Sequence, residues 1–138
     1  MTQAREAPPF DAAWMDTVFL VPEPPAAWPA RFAVVTAHNP GGLASGAAAN
    51  AARERSLGEL VEREGIESFA VTGAAPDLSH REAGRALVTG DLVLAARVAA
   101  AFGQLGFFWI EDGVAWICCD ASGRGWRMAR WEERLVAS

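Results

Sequence analysis

The stretch Phe32-Ala33-Val34-Val35-Thr36-Ala37-His38-Asn39-Pro40-Gly41-Gly42 decides the fold, because its character changes at one point. Residues 32–36 form a short continuous apolar run, the pattern of a strand buried on both faces. His38 to Gly42 then end the strand with residues that favour turns. Ser45 stands as a candidate N-cap, and a helix of about 47–64 follows, closed by Gly65. Leu57, Leu60, Val61 and Glu64 mark one face of that helix. Extended back by one and two turns, the same face takes in Arg53 and Asn50.

Downstream, Ile66 to Thr72 reads as a second strand ending at Gly73, and residues 74–80 as a loop. The alternation through Ala86 and Val88, with Gly84, favours a third strand within 81–89. Asp91 caps a second helix of about 92–102, whose packing face holds Leu94, Ala95, Val98, Ala99 and Phe102. Phe107–Ile110 and Val114–Cys118 flank Glu111-Asp112-Gly113, a hairpin signature because Asp-Gly tolerates positive φ. The tail 124–138 is open between a strand and a helix.

Upstream, residues 1–9 read as a disordered tail and 10–17 as a short helix, followed by a proline-rich connector at Pro22-Glu23-Pro24-Pro25 and Trp28-Pro29. The expectation is a single α+β domain over 10–138. Its order β-α-β-β-α-β suggests a split βαβ, ferredoxin-like sheet, antiparallel or mixed. Both helices would lie on one face, with an added C-terminal hairpin strand and a short N-terminal helix.

The bulk composition excludes several classes. A chain of 138 residues with 51% hydrophobic and 21% charged residues can bury a core and is not a disordered composition. Seventeen acidic residues against twelve basic ones give a net charge of −5, which opposes general nucleic-acid binding. All twelve basic residues are Arg, a choice that suggests a GC-rich bacterial coding bias rather than a function. Residues 1–9 carry Arg5 and Glu6 without an apolar run, and no stretch reaches the roughly 18 apolar residues of a membrane span. A cytoplasmic protein is therefore expected. Cys118 and Cys119 read as two small, reduced thiols within a strand, the alternative being a strained ring disulfide.

Taken in order, four motifs resemble a known bacterial family, the domain of unknown function 3293. They are Thr36-Ala37-His38-Asn39-Pro40, the helix carrying Asn50 with Leu57 and Leu60, His80-Arg81-Glu82, and Phe102-Gly103-Gln104. The similarity spans about residues 10–118. The family has no settled activity, so the resemblance implies a shared site without naming its chemistry.

The candidate site starts at Thr36 and Asn39, where the end of a strand meets a helix start, a common ligand position. Asn39 and Asn50 both donate and accept, and Arg53 is able to hold a carboxylate or phosphate with two parallel bonds. Gln104 joins this ligand-binding set. The bland reading makes these residues turns, caps and a solvated arginine. His80 and Glu82 share a strand face, so they are candidates for a catalytic base and its orienting carboxylate, or for two metal ligands. The chain has only two histidines and neither HExxH nor Cys-x-x-Cys, so no metal and no cofactor are expected.

The sequence thus suggests a small-ligand-binding domain, with an enzyme acting on a small anionic metabolite or nucleotide as its sharper form. The alternative is a non-catalytic interaction or regulatory module working through a homodimer or a partner protein. Arg and Trp interleave at 124–131, a pattern suited to single-stranded nucleic acid, but Asp120, Glu132 and Glu133 dilute it. A sheet edge or a Trp seam joining two copies is the use expected instead.

Overall fold

Strand β3 (Arg31–Thr36) lies at the centre of the computed structural model, which describes residues 1–137. Phe32, Ala33, Val34 and Val35 are all fully buried. Side chains alternate across a strand, so both faces of β3 must be covered. Ala33 and Val35 pack under the helices α1 (Ala47–Arg63) and α2 (Leu92–Ala101), whereas Phe32 and Val34 enter a separate aromatic core.

Around β3 the chain lays down β4 (Ser68–Ala74), β5 (Glu82–Leu87), β6 (Phe107–Glu111), β7 (Val114–Cys118) and β8 (Arg124–Arg130). Three short strands complete the sheet: β1 (Thr2–Gln3), β2 (Val18–Leu20) and β9 (Leu135–Val136). The nine strands run in the order β1-β8-β7-β6-β3-β5-β4-β2-β9. β1 pairs with β8 and β2 with β9 in parallel; the other pairs are antiparallel.

This architecture corrects the expected ferredoxin-like split βαβ fold. The molecule is a mixed nine-stranded sheet curled into a half-barrel, with two helices. Chain length forces the curl. Laid flat, the seven strand spacings from β8 to β9 would cover roughly 34 Å at about 4.8 Å each. The four residues Trp131–Arg134 that join them, a 3-10 turn, reach at most about 18 Å when fully extended. The edges must therefore approach each other.

Trp131 fills the resulting interior. It is 1% exposed and packs against Phe19 (centroids 4.8 Å apart), Phe32 (5.1 Å, edge to face) and Trp28 (5.5 Å). Trp126 is also buried, whereas Arg124, Arg127 and Arg130 are exposed. The Arg–Trp interleaving of the tail is thus a strand and the turn that follows it, with both tryptophans turned inward. The edge strands β1 and β9 are two residues long.

Local signals explain most boundaries. Asp91 caps α2 by accepting from the amides of Val93 (2.9 Å) and Leu94 (3.3 Å). Asp112 and Gly113 turn the β6–β7 hairpin with φ of 49° and 79°. Ser45 does not cap α1. Gly46 occupies that position without a side-chain bond, and the Ser45 amide donates to Asn39 instead. The short helix expected over 10–17 is a 3-10 turn, Ala12–Asp16, capped by Asp11. Before it, Ala4 is buried and Thr2–Gln3 pairs with Arg124 and Gly125. Among the described residues no helix is long and apolar enough to cross a membrane.

Candidate functional site

Thr36, at the carboxyl end of β3, lies on the same strand face as Phe32 and Val34 and is 9% exposed. Its hydroxyl donates to Oε1 of Gln104 (3.3 Å), which follows the end of α2. The Gln104 amide in turn donates to the carbonyls of His38 (2.9 Å) and Phe102 (3.3 Å). Gly84 allows β5 to pair closely here: a Cβ on it would overlap the Val35 carbonyl oxygen.

Three residues further on, Asn39 adopts the left-handed conformation (φ 48°, ψ 61°), which Asn tolerates better than most residues. Both ends of its side chain are engaged. Nδ2 donates to Oε1 of Glu82 (2.7 Å), and Oδ1 accepts from the Ser45 amide (2.9 Å) and from Nδ2 of Asn50 (3.1 Å). Oδ1 of Asn50 accepts the Asn39 backbone amide at 3.0 Å. Asn39 therefore links the end of β3, the start of α1 and the start of β5. The bond to Glu82 goes beyond an ordinary turn, which would involve only local backbone.

These groups border a cavity of about 390 Å³. Thr36, Asn39, His80, Glu82 and Gln104 form its polar side. Phe108 supplies apolar surface from the sheet with the buried Val34 and Ile117 behind it, and Trp14 and Asp11 approach from the N-terminal 3-10 turn. Trp14 is fixed there by stacking on Phe10 (5.4 Å, 8° between planes). Five of the seven residues singled out in the sequence thus converge. Asn50 stands behind Asn39 and orients it. Arg53 does not line the cavity; its Nη1 is buried without a hydrogen-bond partner among the described residues.

His80 is exposed at the rim with φ of 51°. Glu82 bonds to Asn39, and no hydrogen bond joins it to His80 among the described residues. Three positions before His80, the Asp77 carboxyl is held below its usual range by the Ser79 hydroxyl and amide, with the charge of His80 contributing. His38 faces away, toward Glu54 (3.3 Å). Burial pushes the Cys118 thiol up to about 12 and raises Cys119 as well, so neither is an activated nucleophile. Among the described residues no group of three or more His, Cys, Asp or Glu side chains is placed to hold a metal ion.

Sequence reasoning missed Asp11, Trp14 and the apolar side of the cavity. Trp14 was legible as part of a short helix, but only the curl of the sheet brings that turn over Thr36. Phe108 and Ile117 read as core strand residues, which they also are.

A family model described as "Protein of unknown function (DUF3293)" matches residues 35–106, just over half of the chain. All seven polar residues lie within that span. Trp14, Phe108 and Ile117 lie outside it. No curated protein and no solved structure matches the chain.

Proposed function

The chain belongs to the DUF3293 family, and we propose that its polar cavity binds a small metabolite. One observation carries this reading: five polar side chains from separate segments converge on a concavity with an apolar side. Small-molecule sites likewise combine apolar wall with a few placed polar groups. A volume of about 390 Å³ suits a metabolite rather than a polymer. The side chains are also held in advance of binding. Asn39, Glu82, Thr36 and Gln104 are fixed by bonds to one another and to backbone, which lowers the ordering cost of binding.

In this reading Glu82 anchors the ligand, Thr36 and Gln104 fit its polar edge, and Trp14 and Phe108 cover its carbon skeleton. Acid–base chemistry by His80 and Glu82 would run through a ligand held between them, since neither side chain bonds the other.

A second reading, of a non-catalytic module that docks a partner, has one observation in its favour. Leu43 is 75% exposed and Leu105 is 46% exposed; a Cβ on Gly42, the neighbour of Leu43, would stand 3.5 Å from Leu105. The two leucines therefore form an apolar rim beside the cavity.

Chemical-shift mapping with a metabolite library separates the two readings. Hits that move the Gln104 side-chain amide and the Trp14 indole, and that are lost in Thr36→Val with Glu82→Ala, support the cavity. Binding unchanged by that double substitution rejects it.

A further inference from the structure

We infer that the ligand presents a cationic hydrogen-bond donor, an ammonium or amidinium group, to the free oxygen of Glu82. This inference rests on the reading of the cavity as a ligand site and reverses the charge suggested by the sequence. It follows from which hydrogen-bonding groups around the cavity are already engaged.

The donors are largely occupied. Nδ2 of Asn39 goes to Glu82 (2.7 Å), the Thr36 hydroxyl to Gln104 (3.3 Å), and Nε2 of Gln104 to two backbone carbonyls. The Thr17 hydroxyl donates to the Trp14 carbonyl (2.7 Å). Even the glycine turn offers little, since the Gly42 amide donates to the Asn39 carbonyl (2.9 Å) and the Gly41 amide to that of Gly103 (2.7 Å). The ring of His80, the indole of Trp14 and the second N–H of Asn39 Nδ2 are the side-chain donors left over.

Among the acceptors, two carboxylate oxygens are free. Oε2 of Glu82 has no hydrogen bond among the described residues, and its other oxygen is held by Asn39. Asp11 uses Oδ1 to cap Ala13 and keeps its second oxygen. Among the described residues no Arg lines the cavity. Arg53 is elsewhere on α1, and Arg134 donates to the carbonyls of Met15 and Thr17.

An anion in this cavity would face two carboxylates with one exposed imidazole as counter-charge, and no cluster of free amides to receive it. An ammonium or amidinium would meet a half-buried, oriented carboxylate, the arrangement in which charge-assisted hydrogen bonds are strong. The carbon skeleton would then lie against Trp14 and Phe108, as the volume and the apolar side allow.

The test uses three probes that share a phenylethyl group and differ in charge: 2-phenylethylamine, 3-phenylpropanamide and 3-phenylpropanoate. Each is titrated into the whole chain while the Trp14 indole N–H resonance, assigned with Trp14→Phe, is followed. The amine should bind at least tenfold tighter than the amide or the carboxylate. Glu82→Gln retains an acceptor for Asn39, so the fold should persist, and it should weaken amine binding at least tenfold. A preference for 3-phenylpropanoate, or amine affinity unchanged in Glu82→Gln, overturns the charge assignment and leaves the cavity reading standing. If none of the three moves the Trp14 resonance, the cavity reading falls and the inference falls with it.

Discussion

The side-chain amide of Asn39 donates to Glu82 at 2.7 Å, tying the turn after β3 to the first residue of β5 across 43 positions of sequence. The oxygen of the same amide accepts from Ser45 and Asn50. One small side chain thus holds a strand end, a loop and a helix start, and its two ends can be tested separately.

Asn39→Asp keeps the accepting oxygen and a residue that tolerates positive φ, but it replaces the donor with a second carboxyl beside Glu82. Urea unfolding at neutral pH should show a loss of about 1–2 kcal/mol, as when one partner of a partly buried hydrogen bond is removed. Protonating either carboxyl restores a donor. The deficit should therefore shrink as pH falls toward about 4, and also when Glu82→Gln is added. A deficit independent of both changes would mean that the Asn39–Glu82 contact contributes nothing.

Asn50 and Arg53 sit one turn apart on α1 and should respond in opposite ways. Asn50→Ala strips Asn39 of a donor and an acceptor, so a loss of about 1–3 kcal/mol is expected in thermal or urea unfolding. Arg53→Met keeps the aliphatic stem and removes a buried donor that has no partner. It should leave stability unchanged or raise it. Equal destabilisation by both would place a bond on Arg53 that the structure does not contain.

Gly84 stands opposite Thr36 in the β3–β5 pair, and its Cβ would run into rigid backbone. Gly84→Ala should cost about 1–3 kcal/mol or more through forced separation of the two strands. The same change at Gly58, where a Cβ meets nothing within 4 Å, should be neutral or slightly stabilising because α1 gains an alanine. Circular-dichroism melting of the two variants makes the comparison.

Cys118 should resist alkylation. Its thiol ionises at about 12 rather than 9.0, chiefly because of burial, with the neighbouring Cys119 adding to the effect. At pH 8 its thiolate fraction is then lower by roughly a thousandfold than that of an unperturbed thiol, and iodoacetamide should reach it only through unfolding. The sign for stability follows from the raised value. The unfolded chain ionises first, so this contribution is complete below about pH 9 and is lost as pH rises toward 12. Rapid labelling of native protein at pH 8 would contradict the burial of this side chain.

The sequence made the central elements legible because their signals are local. The apolar run at 32–35, the Asp91 cap and the Asp112-Gly113 turn each act within a few residues, and each appears where its pattern lies. The five polar residues that border the cavity were legible for a related reason: they occupy the ends of those elements. Arg53 does not line the cavity, because helical register gives a face and not the place where that face ends. The curl was not legible. It depends on β9 reaching β2 and on β1 reaching β8, pairs of two residues each that have no periodicity of their own. Tertiary closure outweighed the local pattern, and with it came Trp14 and the apolar half of the cavity.

The closure by β9 also has a kinetic meaning. Thr2 pairs with Arg124 and Phe19 with Leu135, partners separated by more than a hundred residues. Such contacts reward the chain only after the entropy of a long loop has been lost, so they form late and slow the folding of the whole. The antiparallel pairs between Arg31 and Cys118 join residues closer in sequence and can nucleate first. Trp131 then enters an interior whose other walls are already assembled. The indole that seals the curl should be the last large side chain to become dry, and its fluorescence would time the final step of folding.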